Sequence, residues 1–546
     1  MTDSGNGSGN PDMISRGQPV WRRISWIIIA ALAISVISSA GVIAADRSIS
    51  AGSHRLGHGA FLADEDSGEG AWGNLRAIGL WVLAIFEIIG IISAVEAIMS
   101  TRTAPGAIAW SLSLLTMPII AVPAYWVLGR SKFEGYLEAR REHQAEFDDL
   151  VERVRASMDS SVVEFETRTP AFDALRGLSN MRLTRGNKAQ LLVDGEATFD
   201  SIIDGIGKAE KYVLVQFYIV HDDGLGRRLK NAMIERAKAG LEVVLLYDEV
   251  GSDIPRAYRN ELRDAGAKVS AFNTTQGRQN KFQLNFRNHR KIVVVDGKTA
   301  WIGGHNVGDE YLGLDPVLTP WRDTHVRVDG PAAIQAQAVV ASDWYWAQRE
   351  ILELSWEPQE AAGSDVIATT VPTGPADPLE TAGMFFVHAL NTAKDRIWIT
   401  APYFVPDDAI IKAMMLATLR GVEVKILVPG QADSMPVQMA SYYYMELLEE
   451  SKVKFYSHAP GFMHQKVMLI DDEVSVIGTH NFDNRSFRLN FEVAALFYDK
   501  EFTKVVEAMF EDDLAHCTPI DPSTFGEKSW FWRFGVRLCR LMAPIM

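Results

Sequence analysis

At 546 residues the chain is too long for one ordinary domain, and its length alone suggests two to four folded units. The 47% hydrophobic content includes apolar runs that a soluble core does not need, and a net charge of −15 lacks the global basic bias of a typical nucleic-acid binder. Only two cysteines occur, Cys517 and Cys539, which argues against a disulfide framework and against a cysteine-based metal site.

Residues 1–18 are rich in Gly, Ser, Asn and Asp without aromatics, the composition of a disordered segment. A membrane region is expected over 19–135, with spans at 24–45, 77–99 and 106–128. The first follows Arg22 and Arg23 and is uncharged; its 22 residues would cover about 33 Å as a helix. The second and third flank a turn with Arg102 and Pro105 and read as a membrane hairpin. Charge counting leaves orientation open. Arg16, Arg22 and Arg23 put the N-terminus inside, so three spans leave the rest outside, yet Arg130, Lys132, Arg140 and Arg141 favour inside. Cleavage at "VIAAD" (Val42–Asp46) or an interfacial first segment removes the conflict. Glu87, mid-span, fits either a functional group or packing against the neighbouring span.

A linker with helical segments is expected over 136–184, followed by two folded units at 185–350 and 351–546. In the first, "KYVLVQFYIV" (Lys211–Val220) reads as a buried strand. A helix follows over 225–240, a strand over 241–249, a helix over 257–266 and a short strand over 267–272. This order predicts an α/β unit with a largely parallel sheet. The second half repeats it: "DRIWITAPYFVPDD", "ATLRGVEVKILVPG" and "ESKVKFYS" match the first-half segments in order. His289, Lys291, Asp296, Ile302, Gly303, His305 and Asn306 recur at a fixed offset of 175 as His464, Lys466, Asp471, Ile477, Gly478, His480 and Asn481. Seven identities in eighteen positions at one register mark an internal duplication.

The residues from Lys291 onward are β-branched, which predicts a strand whose period of two puts His289 and Lys291 on one face. Two copies supply two histidines, two lysines and two asparagines, Asn306 and Asn481, around one cavity. That set suits an anionic phosphoryl group: lysines and asparagines hold its oxygens, one histidine attacks phosphorus and the other protonates the leaving alkoxide. Each histidine needs a carboxylate to fix its tautomer, and Asp323 in "WRDTHVRV" and Glu492 in "LNFEV" are the candidates. Asp296 and Asp471 complete the repeated motif and read as turn-formers that fix its local geometry. His305 and His480 read as supporting or packing groups. No metal or other cofactor is expected, because no three His, Asp or Glu residues show metal-ligand spacing.

Two HxKxxxxD motifs, each followed by GxxN, resemble the phospholipase D superfamily. "NFRNHRKIVVVDG", "WIGGHNVGDEYLG", "WRDTHVRVDGPAA", "APYFVPDD", "MHQKVMLIDD" and "NFDNRSFRLNFEV" are similar to sequence blocks of its bacterial cardiolipin synthases. So are the hairpin segment "GAIAWSLSLLTMPIIAVPAYWVLGRSK" and the basic, apolar tail "RLCRLMAPIM"; the resemblance covers roughly 75–546. It implies two phospholipase D-like units packed pseudo-symmetrically behind transmembrane helices, in a multi-pass protein of the bacterial plasma membrane. It also implies phosphatidyl transfer between two phosphatidylglycerol molecules through a phosphatidyl-histidine, giving cardiolipin and glycerol, with His289 as nucleophile and His464 as acid and base. Lys291, Lys466, Asn306 and Asn481 would bind phosphate. The extra apolar segment at 24–45 departs from the family's usual two spans, and His305 and His480 stand where a smaller or apolar residue is more common.

The partners implied are phospholipids and the bilayer, without nucleic acid. A hydrolytic phospholipase D, a transferase using another phosphatidyl donor, a nucleic-acid phosphodiesterase and an inactive membrane scaffold are the alternatives. Three apolar spans and an acidic chain weigh against the nuclease, and complete His, Lys and Asn pairs weigh against the scaffold.

Overall fold

The computed structural model describes residues 68–129, 181–273 and 285–546, with scattered positions between 133 and 178. The segments 1–18 and 24–45 lie outside the described residues. The chain forms two compact units, Met1–Arg130 and Ser131–Met546.

In the first unit, helix α1 (Gly68–Ser100) contains a 25-residue stretch, Arg76–Ser100, of mean hydropathy 2.4. It is the one helix among the described residues long and apolar enough to cross a bilayer. The expected span at 106–128 is instead two helices, α2 (Ala104–Thr116) and α3 (Pro118–Leu128). Pro118 brings no N–H and restricts the residue before it, so Met117 leaves the helical region with φ −137° and ψ 55°. The three helices meet through small residues. A Cβ on Gly90 would sit 2.6 Å from the Leu114 carbonyl oxygen, and Ala94, Ala97 and Ala121 bury beside Leu114, Val122 and Tyr125. Trp126 Nε1 donates to Ser93 Oγ at 3.1 Å. Trp81, Ile88, Ile92 and Ile98 point outward and are exposed, the reverse of a soluble bundle.

In the second unit the first repeat runs β1 (Thr184–Val193), α4 (Asp194–Gly207), β2 (Tyr212–Phe217), α5 (Gly224–Lys238), β3 (Glu242–Asp248), α6 (Arg256–Asp264), β4 (Lys268–Phe272), β5 (Arg287–Asn288), β6 (Ile292–Val295), β7 (Thr299–Gly303), β8 (Trp321–Arg322), β9 (Thr324–Asp329) and α7 (Pro331–Gln348). The second runs β10 (Val366–Thr373), α8 (Thr381–Thr392), β11 (Arg396–Thr400), β12 (Phe404–Val405), α9 (Asp408–Leu419), β13 (Glu423–Pro429), α10 (Met435–Leu447), β14 (Lys454–His458), β15 (Phe462–Met463), β16 (Val467–Ile470), β17 (Val474–Gly478), β18 (Phe482–Asp483), α11 (Asn484–Arg488), β19 (Asn490–Tyr498), α12 (Lys500–Ala515), β20 (Cys517–Ile520) and α13 (Trp530–Arg540).

One sheet runs through both repeats. Its order is β4-β3-β2-β6-β7-β9-β1 in the first and β14-β13-β11-β16-β17-β19-β10 in the second, so these seven strands correspond one for one. β20 adds an antiparallel edge strand beyond β14 in the second repeat alone. They join through the antiparallel β1–β10 pair. The sheet is mixed rather than largely parallel. Only β2-β3-β4 in the first repeat and β11-β13-β14 in the second are parallel, while β6, β7 and β9 run antiparallel to their neighbours. The cause is the tight reversal between β6 and β7, where Asp296 and Gly297 both take positive φ, 56° and 67°.

Both faces of the sheet are covered, which is why its strands read as unbroken apolar runs. Tyr212, Leu214, Ile292 and Val294 face a core with Val339, Val340 and Trp344 of α7, while Val213, Val215, Val293 and Val295 face one with Leu225, Leu229 and Met233 of α5. The α7 core continues into Phe491, Val493 and Phe510 of the second repeat.

Candidate active site

Two short parallel pairings bring the repeats' motifs together. β5 pairs with the start of β19, Asn288 opposite Phe491, so the next residues are His289 and Glu492. β15 pairs with β8, Met463 opposite Arg322, so the next residues are His464 and Asp323. The His289 N–H donates to the Phe491 carbonyl at 2.9 Å, and the His464 N–H to the Arg322 carbonyl at 2.7 Å. Each imidazole then meets the carboxylate of the opposite repeat. His289 Nδ1 lies 3.0 and 2.9 Å from the two Glu492 oxygens, and His464 Nδ1 lies 2.7 Å from Asp323 Oδ2. A neutral imidazole that donates Nδ1–H to a carboxylate keeps its lone pair on Nε2.

His289 and Lys291 do not share a strand, because β6 begins only at Ile292. They are joined more directly: Lys291 Nζ donates to the His289 carbonyl oxygen at 2.8 Å, and Lys466 Nζ donates to that of His464 at 2.5 Å. Lys291 is fully buried, with its ammonium 5.4 Å from the Tyr218 ring centre.

Burial dominates the electrostatics. It pushes His289 down to about 4 against the pull of Glu492, and holds His464 well below its ordinary value with help from Lys466 and Lys291. Lys291 is likewise held well below its ordinary value, and Lys466 falls to about 8. Burial would raise Glu492, but His289, His480 and Lys291 together outweigh it and the carboxyl ends at about 2. His289 feels Lys466, and His464 feels Lys291 and His289, so the two sets of charges act on one another. Both imidazoles are therefore neutral near pH 7, beside lysines whose charge an entering anion would stabilise.

The remaining residues singled out in the sequence fall into distinct places. Asn306 is buried, accepts from the Ile219 N–H at 3.1 Å and donates to the Tyr311 hydroxyl at 2.8 Å. Asn481 is buried and its Oδ1 has no hydrogen-bond partner in the protein. Asp296 and Asp471 lie at the far ends of β6 and β16 from the histidines. Asp296 accepts from the amides of Glu210, Lys211 and Tyr212 at 2.8–2.9 Å, and Asp471 from those of Lys394, Asp395 and Arg396. Each ties its hairpin turn to the strand beside it. His305 Nδ1 is 3.1 Å from His325 Nδ1, and His480 Nε2 is 2.8 Å from Thr373 Oγ1; both rings are buried.

Several contributors escaped the sequence reading. Glu492 also accepts from the hydroxyls of Thr479 at 2.6 Å and Ser486 at 2.8 Å. Tyr218 packs edge-on to His289 with ring centres 5.0 Å apart, and Trp321 lies 5.3 Å from His464. Beside His289, Arg290 forms a buried pair with Asp343 of α7 at 2.7 Å, and Asp343 also accepts from Gln216 and Asn288. No local spacing signals the Tyr218, Trp321 and Asp343 contacts, which each span more than 50 residues, and the nearer Thr479 and Ser486 contacts follow no helix or strand period. Among the described residues, no group of three His, Cys, Asp or Glu side chains is arranged to hold a metal ion.

The chain matches the family model described as "Cardiolipin synthase, PLD-like domain" twice, over residues 202–334 and 386–514. It is 44% identical over 470 residues to cardiolipin synthase A of Pseudomonas fluorescens strain Pf-5, covering 85% of this chain and 98% of the relative. The same protein of Pseudomonas putida strain W619 is 43% identical, with the same coverage. Among solved structures, phosphatidylserine synthase from Haemophilus influenzae Rd KW20 superposes with a TM-score of 0.52 at 14% identity, covering 69% of this chain and all of the other, a likeness of fold.

Proposed function

The chain belongs to the cardiolipin synthases with a phospholipase D-like domain, and on that premise we propose that it joins two phosphatidylglycerol molecules into cardiolipin and glycerol through a phosphatidyl-histidine. The observation that carries the mechanism is the crossed pairing of His289 with Glu492 and His464 with Asp323. Nε2 of His289 attacks phosphorus of the first lipid, and the P–O bond to the free glycerol breaks. His464 takes up a proton on Nε2 as the anionic phosphodiester binds beside it, gives that proton to the alkoxide and is neutral again. It then takes a proton from the terminal hydroxyl of the second lipid. The hydroxyl oxygen attacks phosphorus, the P–N bond breaks and His289 is regenerated. Lys291 and Lys466, with Asn306 and Asn481, hold the phosphoryl oxygens as charge builds on them. Glu492 and Asp323 fix the tautomers.

Membrane attachment fits lipid substrates. α1 acts as a span, and α2 with α3, broken at Pro118, returns through or into the same bilayer as the other arm of a hairpin in a bacterial plasma membrane.

Purified protein given phosphatidylglycerol as the only lipid is expected to form cardiolipin and free glycerol in equal amounts without added divalent metal. Phosphatidic acid as the sole product would instead identify water as the acceptor and a hydrolase.

A further inference from the structure

Helix α13 divides its surface into three sectors. At 100° per residue, Trp532, Val536 and Cys539 share one side, and it faces the protein. Val536 is buried, and Trp532 packs on Tyr442 and Phe525 with ring centres 5.4 and 5.7 Å away. A second side carries Trp530, Phe531, Phe534, Leu538 and, just past the helix, Leu541, each between 53% and 80% exposed. Arg533, Arg537 and Arg540 flank it.

This is no frayed tail. Ser529 caps the helix, Arg537 pairs with Glu446 of α10 at 3.0 Å, and Arg537 and Arg540 lie over the Tyr443 ring at 4.8 and 4.2 Å. A rigid helix with an aromatic-rich apolar strip in water needs an occupant. Charge identifies it. Lys528–Met542 holds four cations and no carboxylate in a chain of net charge −15, and with Arg537 paired to Glu446 the remaining Lys528, Arg533 and Arg540 suit an anionic surface. An apolar strip with interfacial tryptophan, edged by arginine, is the pattern of a helix lying in the headgroup layer of a bilayer.

We propose that α13 is a second membrane contact: a docking helix that lies in the plane of an anionic lipid surface, its Trp530–Leu541 face in the acyl boundary. The helix is coupled to the catalytic side of the unit. Trp532 and Lys528 line a cavity of about 350 Å³ together with Tyr403 and Asp433, and Asp433 acts electrostatically on Lys466. Docking would therefore hold that cavity at the headgroup layer.

The test uses the full chain in nanodiscs containing phosphatidylglycerol, with a photoreactive benzoylphenylalanine replacing Phe531 or Leu538, or the exposed Glu501 as a control. Lipid adducts are expected at Phe531 and Leu538 and not at Glu501. Cross-links to a second copy of the chain, or no lipid adduct beyond the control, would overturn the proposal. Because the cross-link needs no turnover, its failure is distinguishable from failure of the catalytic reading. Arg533→Glu should lower transfer about fivefold or more at a low phosphatidylglycerol fraction, with recovery at a high fraction. An equal loss at all fractions would point to a structural role and contradict docking.

Discussion

At the residue scale the proposed mechanism requires each histidine's Nδ1 proton to have a fixed acceptor. Glu492 is fully buried and accepts from two hydroxyls besides His289, so its only freedom is to orient that ring. Glu492→Gln keeps the shape but offers an amide that can favour the wrong tautomer. Transfer should fall roughly a thousandfold with thermal stability changed far less, by analogy with a triad carboxylate. Activity within tenfold of the parent would mean that Glu492 does not act through His289. The histidines and lysines were legible in the sequence because duplication wrote them twice. Asp323 and Glu492 were legible as candidates only, since their partners lie 141 and 203 residues away. The crossed register of β5 with β19 and β15 with β8 assigns them, and two-residue strands leave no periodicity to read.

At the scale of elements, the two sides of the site are built alike but not identically. Arg290 follows His289 and reaches Asp343 of α7, tying the catalytic segment to β2 and the long helix. Gln465 follows His464, and Arg322 instead pairs with Asp513 of α12 at 2.7 Å. Removing Asp343 would strand a buried guanidinium. Asp343→Ala should therefore destabilise the unit by about 3–5 kcal/mol, measured by denaturant unfolding. A loss under 1 kcal/mol would contradict the anchoring role.

Asp296→Ala should cost about 1.5–3 kcal/mol, because three backbone amides lose a charged acceptor. A protein of unchanged stability would contradict this reading of the motif aspartate. The helices and outer strands were legible from apolar runs bounded by Gly and Asp. The mixed sheet and the break at Pro118 were not. A buried strand looks the same in either direction, and hydropathy averages over a proline that geometry does not forgive.

At the scale of the whole molecule, burying so many imidazoles ties stability to pH. Burial pushes His289, His305, His458 and His480 down to about 4, and His464 and His325 well below their ordinary values. The unfolded chain binds protons at these sites from about pH 6.5 downward, whereas the folded chain resists until about 4. More protons on the unfolded state mean that stability rises with pH across this window and is lost as pH falls through it. Thermal scans of the detergent-solubilised chain should show the midpoint dropping steeply between pH 6.5 and 4.5. A flat profile would mean that the histidines titrate alike in both states. Length and composition announced several folded units and apolar runs beyond the needs of a soluble core; they did not announce that one continuous sheet would join the two repeats.

The central claim is that the repeats form one site in which His289 carries the phosphatidyl group and His464 moves the proton. The most direct measurement is single-turnover trapping with phosphatidylglycerol labelled in its phosphate, followed by alkaline peptide mapping, in the parent chain and in His464→Ala. The label is expected on the peptide containing His289 in both. Label on His464, or a chain that makes cardiolipin without ever carrying label, would contradict the account.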